Sequence, residues 1–363
     1  MEQVLSLTKQ RRVRHHLALF NETFDYYQKN CTRSNGADII DRLHILRDAI
    51  YQDIRMLTDT FIKVMKDYPN LVRLNENKFD YIFFGDYVDR GIHGFEIVIY
   101  LILLKLIYPN NFTILRGNHE VRWLNQSFFL RECELKFGNR KGSHVWRILN
   151  QCFTELPYAA LINGNIFACH GGIPRNLNSL QDIDNKIPKG LIDEHENFLA
   201  LQLLWNDFRT KETDLLFDYL NDVEDIPNDE EQTQIDNYDL DDDDDTSREI
   251  AKYYVPNITR RIGYIVGNKA VLHFQQKHKI DYIIRAHQYD RIVSRQGYNV
   301  HALNHVITLF SNSNYVGGFN STACVQVSIS DNKVHIIALR NQDDHSFNDN
   351  DMIEYEELAD IQS

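Results

Sequence analysis

The sequence predicts an α/β fold: a stack of short buried strands flanked by helices, with the active site at the strand C-terminal ends. Three observations carry that reading. Short apolar or β-branched runs recur along the chain: "LHIL" (43–46), "YIFF" (81–84), "FTIL" (112–115), "NIFA" (165–168), "DYII" (281–284) and "VITLF" (306–310). Runs of this kind suit strands buried on both faces. Between the early ones lie two stretches, 95–107 and 132–153, that suit crossover helices. Each run is followed by a polar cluster: "RDAIY", "GDYVDRG", "RGNHE", "CHGG", "RAHQ" and "SNSNY". In open α/β sheets the ligand crevice lies beyond the carboxyl ends of the strands, so these clusters are expected to converge.

Charge divides the chain. Of the formal −13, residues 207–249 hold eighteen acids against three bases, a net of −15, which leaves +2 for everything else. The block "DLDDDDDTS" repels itself and buries nothing, so 209–250 is expected to be a disordered acidic insert. The expected organisation is a helical extension over 1–40, a main domain over 41–340 that carries the insert, and an acidic flexible tail over 341–363. A nearly neutral body with no basic stripe argues against nucleic-acid binding. The most apolar segment, 97–108, is too short to span a bilayer and contains Lys105, which argues against a membrane. Five cysteines without a C-x-x-C pair, and an N-terminus without an apolar signal-peptide core, suggest a reducing compartment, cytoplasmic and/or nuclear.

The polar clusters supply a specific chemistry. Asp86, Asn118, His170 and His287 are oxygen and nitrogen donors with no thiolate among them, a set that suits Mn, Fe or Zn in a reactive site. Arg90, Arg116, Arg260 and Arg285 stand in the same clusters or close to them, and a guanidinium forks onto phosphate. Metals and arginines in one crevice point to phosphoryl chemistry, in which paired ions clamp the phosphate and activate water.

At these residues the sequence resembles the phosphoprotein phosphatases, the metal-dependent Ser/Thr enzymes of the type-1, type-2A and calcineurin group. "GDYVDRG", "LRGNHE", "CHGG", "LLWND", "RAHQ" and "ITLFSNSNY" follow in the family order from residue 85 to 315. The resemblance implies a metallophosphoesterase-type β-sandwich flanked by helices and a cofactor of two divalent ions. It implies that Asp86 bridges the ions and that Asn118, His170 and His287 complete the second site. It implies further that His119 is the general acid, oriented by Asp89, that Arg90 and Arg260 grip the phosphate, and that Tyr315 lines its pocket. Phosphoprotein substrates and regulatory subunits are the partners such a protein would have.

The first motif departs from the family. Where relatives carry Gly-Asp-x-His-Gly, this chain reads "RDAIY", with Asp48 at the ligand Asp, Ile50 in place of the His, and Arg47 and Tyr51 in place of the glycines. His44 and Asp53 are the nearby alternatives. The first ion site is therefore expected to be weak or empty. Two functions follow. One is a Ser/Thr protein phosphatase of reduced activity. The other is a pseudophosphatase that binds phosphoproteins as a scaffold.

Overall fold

The computed structural model describes residues 9–16, 18, 36–74, 80–210, 213, 253–313, 315–328, 333–339 and 353–357. The acidic insert expected over 209–250 lies almost entirely outside them, as does most of the 1–40 extension.

The first departure from expectation is α1, a helix over Gly36–Met65 that contains the whole "LHIL" run. Residues 43–46 are helical and form no strand. The physical reason is visible further along the same helix. Ile50, Ile54, Leu57, Phe61 and Met65 recur at helical spacing, each at most 2% exposed, and pack into one core with α2 (Gly94–Ile107). Burying five such side chains is worth about 1.5–3 kcal/mol each. After Gly36 the segment contains no glycine or proline to punctuate it. A short apolar run cannot outvote that stripe.

Four sheets follow. In chain order the strands are β1 (Leu71–Leu74), β2 (Tyr81–Phe83), β3 (Phe112–Ile114), β4 (Ala159–Ile162), β5 (Ile166–Cys169), β6 (Asp207–Phe208), β7 (Tyr254–Pro256) and β8 (Tyr264–Val266). Then come β9 (Tyr282–Arg285), β10 (Tyr298–His301), β11 (Val306–Leu309), β12 (Thr322–Ser328), β13 (Lys333–Leu339) and β14 (Ile353–Glu357). The main sheet has six strands in the order β1-β4-β5-β9-β11-β10, and β2 and β3 form a separate parallel pair. The three-stranded β6-β8-β7 and antiparallel β12-β13-β14 sheets complete the set. The last strand falls inside the expected flexible tail, where Leu339 pairs with Ile353 and His335 with Glu357.

Alternation along the main sheet sends successive side chains to two different cores. Phe167, Cys169 and Ile283 join Leu199, Leu203 and Phe274 from the covering helices. Ile166, Ala168 and Ile284 meet Ala323, Val334 and Ile336 of the C-terminal sheet. The result is the sandwich flanked by helices that the sequence predicts.

One buried charge in this scaffold has a measurable consequence. Lys105 of α2 is 1% exposed, donates to the Pro109 carbonyl at 2.8 Å and lies 3.9 Å from the Tyr68 ring centroid. Burial pulls its pKa from 10.5 down to about 8, against the opposing pull of Asp80. Between those two values the unfolded chain holds the extra proton, so this group's contribution to stability is lost as pH falls through about 8 and restored above 10.5. Lys105→Met is expected to remove a rise of about 2–3 kcal/mol from the stability curve across that window. Urea melts of both proteins at pH 8 and pH 10 would show it, and equal slopes would refute it.

Candidate metal centre

Five strands end at one place. The loop after β2 brings Asp86, Asp89 and Arg90, that after β3 brings Asn118 and His119, β5 runs into His170, β9 into His287, and β11 leads to Tyr315. Asp86, Asp89, Arg90 and His287 all have positive φ, between 58° and 71°. Non-glycine residues held in that region mark places where surrounding structure imposes a conformation.

The loops after β2 and β3 approach so closely that a glycine is required on each side. Gly85 has φ +97°, and a Cβ there would collide with the Gly117 backbone and sit 2.9 Å from His170 Nδ1. A Cβ on Gly117 would strike the Asp86 backbone and lie 2.6 Å from Asp86 Oδ1. Glu120, fully buried, joins the two loops. Its Oε2 accepts from the Asp86 N–H at 2.7 Å and the Gly117 N–H at 2.9 Å, and its Oε1 accepts from the Tyr87 N–H at 2.7 Å. Burial, together with the Asp86 charge, raises its pKa, while the N–H bonds from Asp86 and Tyr87 and the nearby His119 favour the carboxylate form. The Tyr87 hydroxyl donates within reach of the Phe83 and Leu115 carbonyls, at 3.0 and 2.8 Å, bracing the ends of β2 and β3.

Four donor atoms face one another in the space so formed. His170 Nε2 lies 3.0 Å from Asn118 Oδ1, 3.2 Å from His287 Nδ1 and 3.2 Å from Asp86 Oδ1. His287 Nδ1 lies 3.1 Å from Asn118 Oδ1. His170 Nδ1 donates to the Phe84 carbonyl at 2.5 Å, which leaves Nε2 as a lone pair pointing at a carboxylate and an amide oxygen. Acceptors in that arrangement repel one another unless a cation lies between them. Ligands about 2.1 Å from an ion and at right angles around it are about 3 Å apart, which these spacings fit. Burial holds the His170 pKa below its ordinary value, and burial with the Arg260 charge holds His287 well below, so both offer neutral nitrogens. Asp86 stays ionised: burial opposes its charge, but the facing His170 and His119, the His119 N–H and Arg90 hold its pKa below the usual carboxylate value.

His119 stands beside this cluster. Its Nδ1 is 2.7 Å from Asp89 Oδ2, and Asp89 Oδ1 accepts from the Phe129 N–H at 2.9 Å. Burial alone would lower the imidazole pKa, but Asp86 and Asp89 outweigh it and raise it. The Arg90 guanidinium lies 5.4 Å from the centroid of the Tyr315 ring. Tyr315 in turn packs on Phe310 and Tyr289, with centroids 5.1 and 4.8 Å away. Arg260 is held from behind by Asp207, Nε to Oδ2 at 2.5 Å, and donates from Nη2 to the His287 carbonyl at 3.2 Å.

The structure thus brings together Asp86, Asn118, His170, His287, His119 and Asp89, with Arg260 bonded to the His287 backbone and Arg90 beside Tyr315. It does not bring Asp48. That residue sits on α1, its side chain 64% exposed and paired with Lys141, while Ile50 is packed in the core. Of the two alternatives, Asp53 is buried on the same helix and bound by Arg12 and His16 at 2.6 and 2.8 Å. The side chain of His44 lies outside the described residues. Two arginines offered for phosphate also have other work. Arg116 is fully buried and donates to the Tyr158 hydroxyl and the Leu191 carbonyl, and Arg285 is fully buried and donates to the Gly171 and Asn206 carbonyls. Sequence reasoning missed Glu120, Tyr87 and Asp207 as organising residues, although all three lie within quoted motifs.

Residues 47–291 match the calcineurin-like phosphoesterase family. The chain belongs to that family. Among curated proteins this phosphoesterase is 32% identical over 250 residues to the serine/threonine-protein phosphatase BSL2 of Arabidopsis thaliana, a match covering 68% of the chain and 20% of that protein. The chain therefore spans about a fifth of the length of that relative. Among solved structures it superposes with a TM-score of 0.57 on a serine/threonine phosphatase from Saccharomyces cerevisiae with similarity to human phosphatase PP5. That likeness has 20% identity, covers 86% of this chain and 91% of the other, and establishes the shared fold. Divalent metal ions are what the family implies, and the donor cluster at Asp86, His170 and His287 fits one.

Proposed function

We propose that this phosphoesterase is a protein serine/threonine phosphatase, hydrolysing phosphoserine and phosphothreonine in protein substrates. The observation that carries the reading is the convergence of the four-donor cluster with the His119–Asp89 pair at its edge. A divalent cation held by Asp86, Asn118, His170 and His287 would supply Lewis acidity toward a phosphoryl oxygen and lower the pKa of a water.

The protein's own groups do the rest. Asp89, anchored on the Phe129 N–H, fixes the imidazole of His119 so that Nε2 remains free to give its proton to the departing serine or threonine oxygen. Arg90 and Arg260 neutralise the non-bridging phosphate oxygens, and Tyr315 holds the Arg90 side of the pocket. Manganese is the ion proposed for assay, and regulatory subunits are proposed partners. A cytoplasmic and/or nuclear location is supported by Cys133, Cys152, Cys169 and Cys324, which are all free thiols.

The test is phosphate release from phosphoserine and phosphothreonine peptides by the full chain, titrated with manganese beside Asp86→Asn. Turnover that rises with metal and vanishes in the variant is expected. A folded, ion-loaded protein with no turnover would sink the reading and leave the phosphoprotein-binding alternative.

A further inference from the structure

We infer that this chain holds a single divalent cation, at Asp86, Asn118, His170 and His287, and that no second ion shares Asp86. The inference deepens the proposed function by fixing the number of ions its centre carries, and its test reads metal content directly.

The argument starts from what a second ion would need. Besides the bridging Asp86, it would take ligands from the segment that aligns with the family's first motif, where Asp48 is the remaining donor. That segment is not a loop at the mouth of the crevice. It is part of α1, which runs without interruption from Gly36 to Met65. Asp48 projects from it into solvent and pairs with Lys141 of the helix Asn139–Phe153. Two positions on, Ile50 is 2% exposed and packs with Ile54, Leu57 and Ile99, so turning this stretch toward the crevice would unpack the core. Asp53, the next acid on the helix, is 3% exposed and already carries Arg12 and His16.

The crevice offers no replacement among the described residues. The acids and histidines clustered closely enough to hold an ion there are Asp86, His170 and His287. Asp89 spends both carboxylate oxygens, one on His119 Nδ1 and one on the Phe129 N–H. Both oxygens of Glu120 are spent on backbone N–H groups. A second ion would therefore be held by one carboxylate oxygen of Asp86 and water, too few protein ligands to retain it through desalting. With one ion in place, neutralising the phosphoryl oxygens falls more heavily on Arg90 and Arg260.

The full chain is stripped with chelator, reloaded with excess manganese and desalted to remove ions loosely held by the acidic run at 239–245. Metal per chain is then measured by elemental analysis, with electron paramagnetic resonance on the same sample. One manganese per chain is expected, with the hyperfine-split spectrum of an isolated Mn(II). His170→Asn should lose it, and Asp48→Ala should retain it in full. Ile50→His should still hold one ion, with a lower melting temperature because an imidazole enters the core. Two ions per chain, an exchange-coupled spectrum, loss of metal in Asp48→Ala or a gain to two ions in Ile50→His would each overturn the inference. These outcomes are separable from the proposed activity. A one-ion protein without turnover leaves the inference standing and removes the phosphatase reading, whereas a two-ion protein with turnover does the reverse.

Discussion

His119→Asn is expected to lower kcat on a phosphoserine peptide by about 10²–10⁴-fold, the usual worth of a positioned general acid, with KM changed by about threefold or less. The geometry makes the assignment specific. Asp89 is fixed by the Phe129 N–H and takes one imidazole nitrogen, which leaves the other for a leaving oxygen. An alkoxide leaving from serine needs that proton, while the phenolate of an aryl phosphate is stable enough to leave without it. The variant should therefore lose far less on p-nitrophenyl phosphate than on the peptide. Asp89→Asn should show the same split in milder form, because it misorients the ring without removing it. Equal losses on both substrates would mean that His119 serves the structure of the centre rather than protonation. A parallel fall in metal content would reinforce that outcome, since the backbone N–H of residue 119 donates to Asp86 Oδ1 at 3.1 Å and moves with the loop if the substitution displaces it.

Much of this centre was legible in the sequence because strand-end loops are local objects. Each of the five later runs becomes a strand, and the polar cluster after it lands in the crevice. "LHIL" failed for the reason such runs are ambiguous: four apolar residues fit a strand or one turn of a helix, and only the longer stripe from Ile50 to Met65 decides. The alignment of "RDAIY" with the family motif shows both glycines replaced, by Arg47 and Tyr51, but a position-by-position comparison does not reveal that the segment without them continues as helix and carries Asp48 away from the crevice. The strand Ile353–Glu357 was hidden by composition, because "IEYEE" reads as an acidic tail although its apolar and acidic residues alternate. Glu120 and Asp207 were missed for a different reason. Their partners come from other loops, Asp86 and Tyr87 in one case and Arg260 and Asn257 in the other, so their work exists only once the strands are assembled.

Glu120 carries the second large expectation. Glu120→Ala leaves the N–H groups of Asp86, Tyr87 and Gly117 without their acceptor where the loops after β2 and β3 meet, at a cost of about 1–3 kcal/mol for each buried donor left unsatisfied. A total loss of about 3–6 kcal/mol in urea unfolding is expected, a large share of the stability of an ordinary domain. Glu120→Gln keeps one carbonyl oxygen but replaces the other acceptor by an amide NH₂ group that meets backbone donors head-on. It should fall between wild type and alanine in stability. The more telling readout is metal affinity. Asp86 enters the ion cluster from a backbone with φ +60°, a conformation that the Glu120 carboxylate helps hold through the Asp86 N–H. When a partner that orients a ligand is lost, metal affinity commonly falls by about 10–100-fold. Both variants should therefore bind manganese more weakly at temperatures where they remain folded. Unchanged affinity in a folded Glu120→Gln would show that the ligand geometry is set by the Gly85 and Gly117 contact alone, and the carboxylate would then be a stabilising brace with no part in shaping the centre.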